Sequence, residues 1–173
     1  MKNSIKQLAQ LEVQMGSSLN LSAREWNQFS LAMTQVASSF EAFARKNLPK
    51  GKISVSLHLC GKAKIRSLNR EFRKKDKITD VLSFQMQDNA RELKVWPLPQ
   101  NHLGDVFICR EVAISQAREF KISEQDEWIH LAVHGLLHLC GFDHEISAKE
   151  EAIMQKHEKQ IIDTISKKRK QRK

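Results

Sequence analysis

The sequence predicts an α+β fold in a single domain: a small sheet covered by helices. Three observations lead there. An apolar stripe at helical spacing runs from Trp26 to Phe43, a strict alternation follows from Ile53 to Leu59, and a buried strand-like run precedes two more helix starts. Taken in order, Leu11, Val13 and Met15 alternate and suit an edge strand. Ser22-Ala23-Arg24-Glu25 reads as a capping box, opening a helix in which Trp26, Phe29, Met33, Val36, Phe40 and Phe43 recur every three or four residues. That helix ends near Asn47, before the Pro49-Lys50-Gly51 turn.

Ile53, Val55, Leu57 and Leu59 then alternate with Ser54, Ser56 and His58, which leaves His58 on a polar strand face. Ile65, Leu68 and Phe72 mark a second helix whose other sides carry Lys62, Lys64, Arg66, Arg70 and Arg73. Val81 to Met86 forms a short strand, and residues Asp88 to His102, with Pro97 and Pro99, read as a polar loop. The unbroken run Val106-Phe107-Ile108-Cys109 suits a central strand buried on both faces. Ser123-Glu124-Gln125-Asp126 and Ser147-Ala148-Lys149-Glu150 open two further helices, and His157 on the last one is expected to pack in the core.

At 173 residues the chain is one domain by length, with 40% hydrophobic residues to build a core. No apolar stretch is long enough for a membrane span, and residues 1–7 lack the apolar segment of a signal peptide, so a cytoplasmic protein is expected. Cys60, Cys109 and Cys140 are an odd count without paired spacing, as in a reducing compartment. The net charge of +9 is concentrated: Lys167 to Lys173 carries six positive charges and leaves about +3 for the rest. We therefore divide the chain into a folded domain, 1–166, and a basic tail without structure, 167–173. Such a tail raises affinity for any polyanion through counterion release, without sequence preference.

The most informative stretch is His134-Gly135-Leu136-Leu137-His138-Leu139-Cys140-Gly141-Phe142-Asp143-His144. His134 and His138 lie one helical turn apart, so their imidazoles share a face. Gly141 allows the helix to stop through a left-handed cap, after which the chain can bring His144 to the same ion. Three neutral imidazoles leave a fourth tetrahedral position open, as in catalytic rather than structural zinc sites. The metzincin proteases share this spacing but carry a Glu base after the first histidine. Here that residue is Gly135, so the cage is expected without the protease base. His130 is two turns from His138, about 12 Å along the axis, too far to share an ion held by bonds of about 2.1 Å. It is expected to pack or to hydrogen-bond behind the ligands.

Two further segments carry a resemblance. Leu68-Asn69-Arg70-Glu71-Phe72-Arg73-Lys74-Lys75-Asp76-Lys77-Ile78-Thr79-Asp80-Val81-Leu82-Ser83-Phe84 and Leu103-Gly104-Asp105, with the histidine run, resemble the YbeY family of bacterial rRNA-maturation endoribonucleases over about residues 11 to 165. The resemblance implies a mixed sheet of four strands packed with helices, and one Zn2+ per chain on His134, His138 and His144. It implies action on single-stranded RNA, in maturation of the small-subunit rRNA 3′ end and in ribosome quality control, with the ribosomal small subunit as partner and no DNA. It also places the family's RNA-handling arginine on Arg73. Ile78 and Gln85 stand where the family usually has proline.

From residue chemistry alone Arg73 is either a solvated helix charge or a phosphate ligand, since its planar fork matches phosphate oxygens. The general base is left open, because Asp80, Asp105 and Asp143 can each serve a turn or orient a ligand. A rival of another class is a zinc-stabilised rRNA-binding assembly factor with little catalysis of its own. A zinc peptidase is disfavoured by Gly135.

Overall fold

The computed structural model describes residues 4–7, 11–88, 90–95, 97 and 100–171. The chain runs β1 (Ser4–Gln7), β2 (Leu11–Ser17), α1 (Ala23–Asn47), β3 (Lys52–Cys60), α2 (Lys62–Arg73), β4 (Val81–Gln85), a 3-10 turn (Ala90–Glu92), β5 (Gln100–Cys109), α3 (Arg110–Phe120), α4 (Glu124–Leu139) and α5 (Ala148–Lys170). The strands form one mixed sheet in the order β1-β2-β3-β5-β4. β2, β3 and β5 are parallel neighbours, while β1 and β4 pair antiparallel at the two edges. The expected four-stranded mixed sheet is present as β2-β3-β5-β4. β1 adds a fifth strand, which moves β2 from the edge to an inner position.

The capping box forms as the sequence dictates. The Ser22 hydroxyl accepts from the Glu25 N–H, and the Glu25 carboxylate accepts from the Ser22 N–H. α1 buries Phe29, Met33, Val36 and Phe40 against Ile53, Val55, Leu57 and Leu59 of β3, in the same core as Leu136, Leu137 and Leu139 of α4. On the other face of the sheet a smaller cluster joins Cys60, Leu82 and Cys109 to Ile65 and Leu68 of α2. Ser54 and Ser56, on that second face, are buried rather than solvated, because β3 lies between β2 and β5. His58 is half-buried there and stacks on Phe107. His157 packs edge-on against Phe43 and Phe142, the core role its position on α5 predicts.

Three regions depart from the sequence reading. α3 had no recognised signal, because the side chains it buries are only Ala113 and Ala117. The loop expected from Asp88 to His102 is shortened, since β5 already begins at Gln100; Pro99 lies outside the described residues. Nor does structure end at residue 166. α5 continues through Lys170, where Arg169 donates to Gln35 on α1 and pairs with Asp126 on α4, and Lys168 donates to Ser38. Arg172 and Lys173 lie outside the described residues.

All three cysteines are free and buried. Burial pushes the Cys60 thiol up to about 12 and raises Cys140 as well, so both stay protonated and inert at neutral pH. Among the described residues no helix is long and apolar enough to cross a membrane.

Candidate metal centre

α4 delivers two of the three histidines. Ser123 caps its start by accepting from the Asp126 N–H, and acidic Glu124, Asp126 and Glu127 fill the first turn where the helix dipole favours them. At the other end Gly141 adopts φ 91°. Its N–H donates to the His138 carbonyl at 2.9 Å, and the Phe142 N–H donates to the Leu137 carbonyl at 3.2 Å. This paired termination reverses the chain, and Phe142 is then buried in the core. Arg91 braces the reversal from the loop side. Its guanidinium lies 4.5 Å from the centre of the Phe142 ring and donates to Glu150 on α5 at 2.7 Å, while its N–H donates to the Cys140 carbonyl.

The reversal brings His144 back over α4. The ring centres of His134, His138 and His144 are 4.8, 5.2 and 5.1 Å apart pairwise. One ligand atom from each lies within 4.8 Å of the others. Tetrahedral zinc with bonds of about 2.1 Å needs ligand atoms about 3.4 Å apart. The Nε2 atoms of His134 and His138 already stand 3.2 Å apart. Burial, reinforced by the neighbouring His134 and His144, pushes the His138 imidazole down to about 4. It is therefore neutral at pH 7, the form that binds metal. Nδ1 of His144 is buried without a hydrogen-bond partner. Three convergent imidazoles, one held neutral by burial and one with an orphaned ring nitrogen, fit a metal ion.

A residue the sequence reading missed completes the arrangement. Glu158, on α5, lies 3.1 Å from His134 Nδ1, which leaves His134 Nε2 facing its neighbours. Burial would raise this carboxylate, but His134 and the nearby His130 outweigh it and hold it lowered. A carboxylate on the far nitrogen fixes the ring orientation and strengthens the imidazole as a ligand. Glu158→Gln is expected to weaken metal binding about 10–100-fold, the usual loss for such a partner. Competition against a chelator of known affinity checks it. His130 stays outside the group. Its Nε2 is 3.7 Å from the same Glu158 carboxylate and its Nδ1 3.7 Å from buried Glu127, whose carboxylate raises its pKa.

Gly135 sits where α4 crosses β5. A Cβ there would stand 2.5 Å from Cγ1 of Val106, so the residue between the two histidines is glycine because the helix touches the sheet.

The histidines open into a cavity of about 640 Å³ that Arg73, Asp80 and Asp143 also line. Arg73 is the last residue of α2, and the turn after it is pinned despite Ile78 in place of proline. Buried Asn69 donates to the Lys77 carbonyl at 2.8 Å, and Arg66 grips Asp76 with two hydrogen bonds of 2.8 and 2.9 Å. The aspartates have other duties. Asp80 would be raised by burial, but Gln116 of α3, the Val81 N–H and Thr79 all donate to it and hold it lowered. Asp143 accepts from the Glu145 N–H, closing a turn around His144. Asp105 lies across the sheet, where His102, His58 and Ser56 hold it well below the usual carboxylate range. Cys140 is buried in the main core and, among the described residues, belongs to no group that could hold a metal ion.

Fold and site together define a class: an α+β protein whose three-histidine group can hold a metal ion at the floor of an open cavity. The family profile of Endoribonuclease YbeY matches residues 18–166, and the chain belongs to that endoribonuclease family. It is 38% identical over 131 residues to Endoribonuclease YbeY of Leptospira interrogans, covering 70% of this chain and 93% of that one. With the Finegoldia magna protein of the same name it shares 39% identity over 111 residues, 64% of this chain and 68% of the relative. The solution structure of TM1509 from Thermotoga maritima has the same fold, with a TM-score of 0.61 over 92% of this chain and 93% of that chain, at 22% identity.

Proposed function

We propose that the chain is a zinc-dependent endoribonuclease specific for single-stranded RNA, acting in the cytoplasm on the small-subunit rRNA 3′ end and in ribosome quality control. One observation carries the reading: within a chain of the endoribonuclease family, His134, His138 and His144 share one cavity with Arg73. His134, His138 and His144 would hold one zinc ion, oriented through Glu158. Bound there, zinc supplies Lewis-acid polarisation of a phosphoryl oxygen and acidifies water.

The chain's own residues do the rest. Arg73 is always charged, and its fork pairs with two phosphate oxygens, which positions the scissile phosphodiester and offsets the charge that builds on it. The cavity is open to solvent, and a flexible single strand can bend into it more readily than a stiff duplex. Asp80 and Asp143 already accept hydrogen bonds from the protein and serve as supports of the wall, so we assign neither as the base. A structural zinc site would close with a fourth protein ligand. Among the described residues the group has three members, which favours catalysis over the assembly-factor reading.

Arg73→Ala is expected to leave metal content unchanged and to lower cleavage about 10²–10³-fold, the usual loss for one charge-stabilising group. Arg73→Lys recovers only part, because an ammonium lacks the fork. The test maps cleavage of RNA carrying a small-subunit rRNA 3′ extension, single-stranded and then annealed to its complement. Cuts confined to the single strand support the proposal. Full activity in Arg73→Ala contradicts the role of Arg73, and equal cutting of the duplex contradicts the substrate class.

A further inference from the structure

The metal cavity leaves unexplained a second groove, of about 610 Å³, on the other face of edge strand β4. Its walls include Phe72, Arg73, Phe84, Met86 and Phe107. Phe72 and Met86 expose 59% and 62% of their surface, although both are large and apolar. The rings form a chain. Phe72 meets Phe84 edge-on at 5.1 Å, Phe84 meets Phe107 at 5.8 Å, and Phe107 stacks on His58 at 4.6 Å with the planes 17° apart. Strand alternation puts Leu82 and Phe84 of β4 beside Phe107 of β5, on the face away from the main core.

Charge decides what such a surface receives. Residues 62–77, which make up α2 and the turn after it, hold eight cationic and only two acidic side chains. An aromatic row bordered by cations suits stacked bases beside a phosphate backbone, where a protein-docking patch would be depleted of lysine. Asp105 also lines the groove, beside His58 and His102, and its negative charge disfavours phosphates there and leaves the rings to bases. Arg73 and Ser83 line both this groove and the metal cavity, so the two are continuous around β4.

We propose that the Phe72–Phe84–Phe107 groove is a base-stacking subsite for single-stranded RNA, holding nucleotides that flank the one at the metal centre. The proposal deepens the endoribonuclease reading and rests on it for the identity of the polymer. It implies that chain length matters. A strand long enough to round β4 gains the subsite, and a trinucleotide confined to the metal cavity does not.

The experiment measures anisotropy of labelled single strands of about ten nucleotides, within the site sizes of single-strand binders, and of a trinucleotide. The protein is the full metal-loaded chain, as wild type, Phe72→Ala and Phe72→Trp. Phe72 is exposed, so its removal leaves the fold intact. Phe72→Ala is expected to weaken binding of the longer strand about tenfold, the loss of one base–aromatic stack, and to leave the trinucleotide unchanged. In cleavage of the longer strand KM rises and kcat holds. Phe72→Trp is expected to restore affinity, with its indole emission quenched as RNA binds. Equal affinity of wild type and Phe72→Ala for the longer strand overturns the proposal, as does an equal loss for both lengths. Unchanged RNA affinity with wild-type self-association that Phe72→Ala abolishes would assign the face to a second copy of the chain, and also overturns it. Wild type that binds RNA through Phe72 without cutting it would sink the nuclease reading alone and leave the subsite standing.

Discussion

His138→Ala is expected to remove metal binding and RNA cleavage together, with the fold retained. In the proposed site His138 lies close to both other histidines: its ring is 4.8 Å from His134 and 5.1 Å from His144, and its Nε2 is 3.2 Å from that of His134. Without it two imidazoles remain, one on α4 and one beyond the Gly141 reversal, too few for a site that needs at least three protein ligands. The side chain is only partly buried and its imidazole is neutral at pH 7, so deleting it removes limited packing and no charge. The expected result is a melting temperature near that of metal-free wild type, zinc content at background, and no cleavage product. Zinc retained at one per chain in His138→Ala would show that the ligand set is misassigned.

Gly135→Ala carries the second large effect, on stability and on the site at once. The added Cβ would lie 2.5 Å from Cγ1 and 3.1 Å from Cγ2 of Val106, a fully buried residue of the inner strand β5. A β-branched side chain held in a sheet has little rotamer freedom with which to give way. Overpacking of this kind costs about 1–3 kcal/mol, against roughly 1 kcal/mol gained from alanine's better helix propensity. The net expectation is destabilisation of up to about 2 kcal/mol. Because His134 and His138 flank the contact, α4 must shift them as it moves away from the sheet, so metal affinity falls too. Denaturant unfolding and chelator competition read the two effects. Val106→Ala in the same chain makes room, so the pair is expected to be strongly non-additive. A Gly135→Ala protein as stable and as metal-avid as wild type would refute the close approach. The same contact explains why the protease pattern is not reached by one change: a glutamate at 135 meets the wall before it reaches the metal.

What could be read from the chain alone follows from how local each signal is. His134, His138, Gly141 and His144 lie within eleven residues of continuous sequence, and the local geometry that gathers them is set by spacing alone. The α1 stripe and the β3 alternation were equally legible, because each buries large apolar side chains at its own period. α3 was not, since alanines at 113 and 117 give a close-packed face without a hydrophobic pattern. β1, four residues of mixed polarity, has too little alternation to announce itself. Glu158 lies on a different helix, 24 residues from His134. Only the packing of α5 on α4 makes it a partner, and nothing in its sequence neighbourhood points there. The basic C-terminus looked solvated by composition, yet Arg169 is held by Gln35 and Asp126 from two other helices. Arg73 falls between these cases. Chemistry left it ambiguous, resemblance assigned it, and the fold puts it at the junction of the metal cavity and the aromatic groove.

The most direct test of the central claim strips the 173-residue chain with a chelator and restores zinc in steps, measuring bound metal and cleavage of single-stranded RNA on the same samples. The account predicts no cleavage by the stripped protein, then a rise in step with bound zinc that levels at one ion per chain. Full cleavage by metal-free protein, or zinc bound at one per chain without any cleavage, would contradict it.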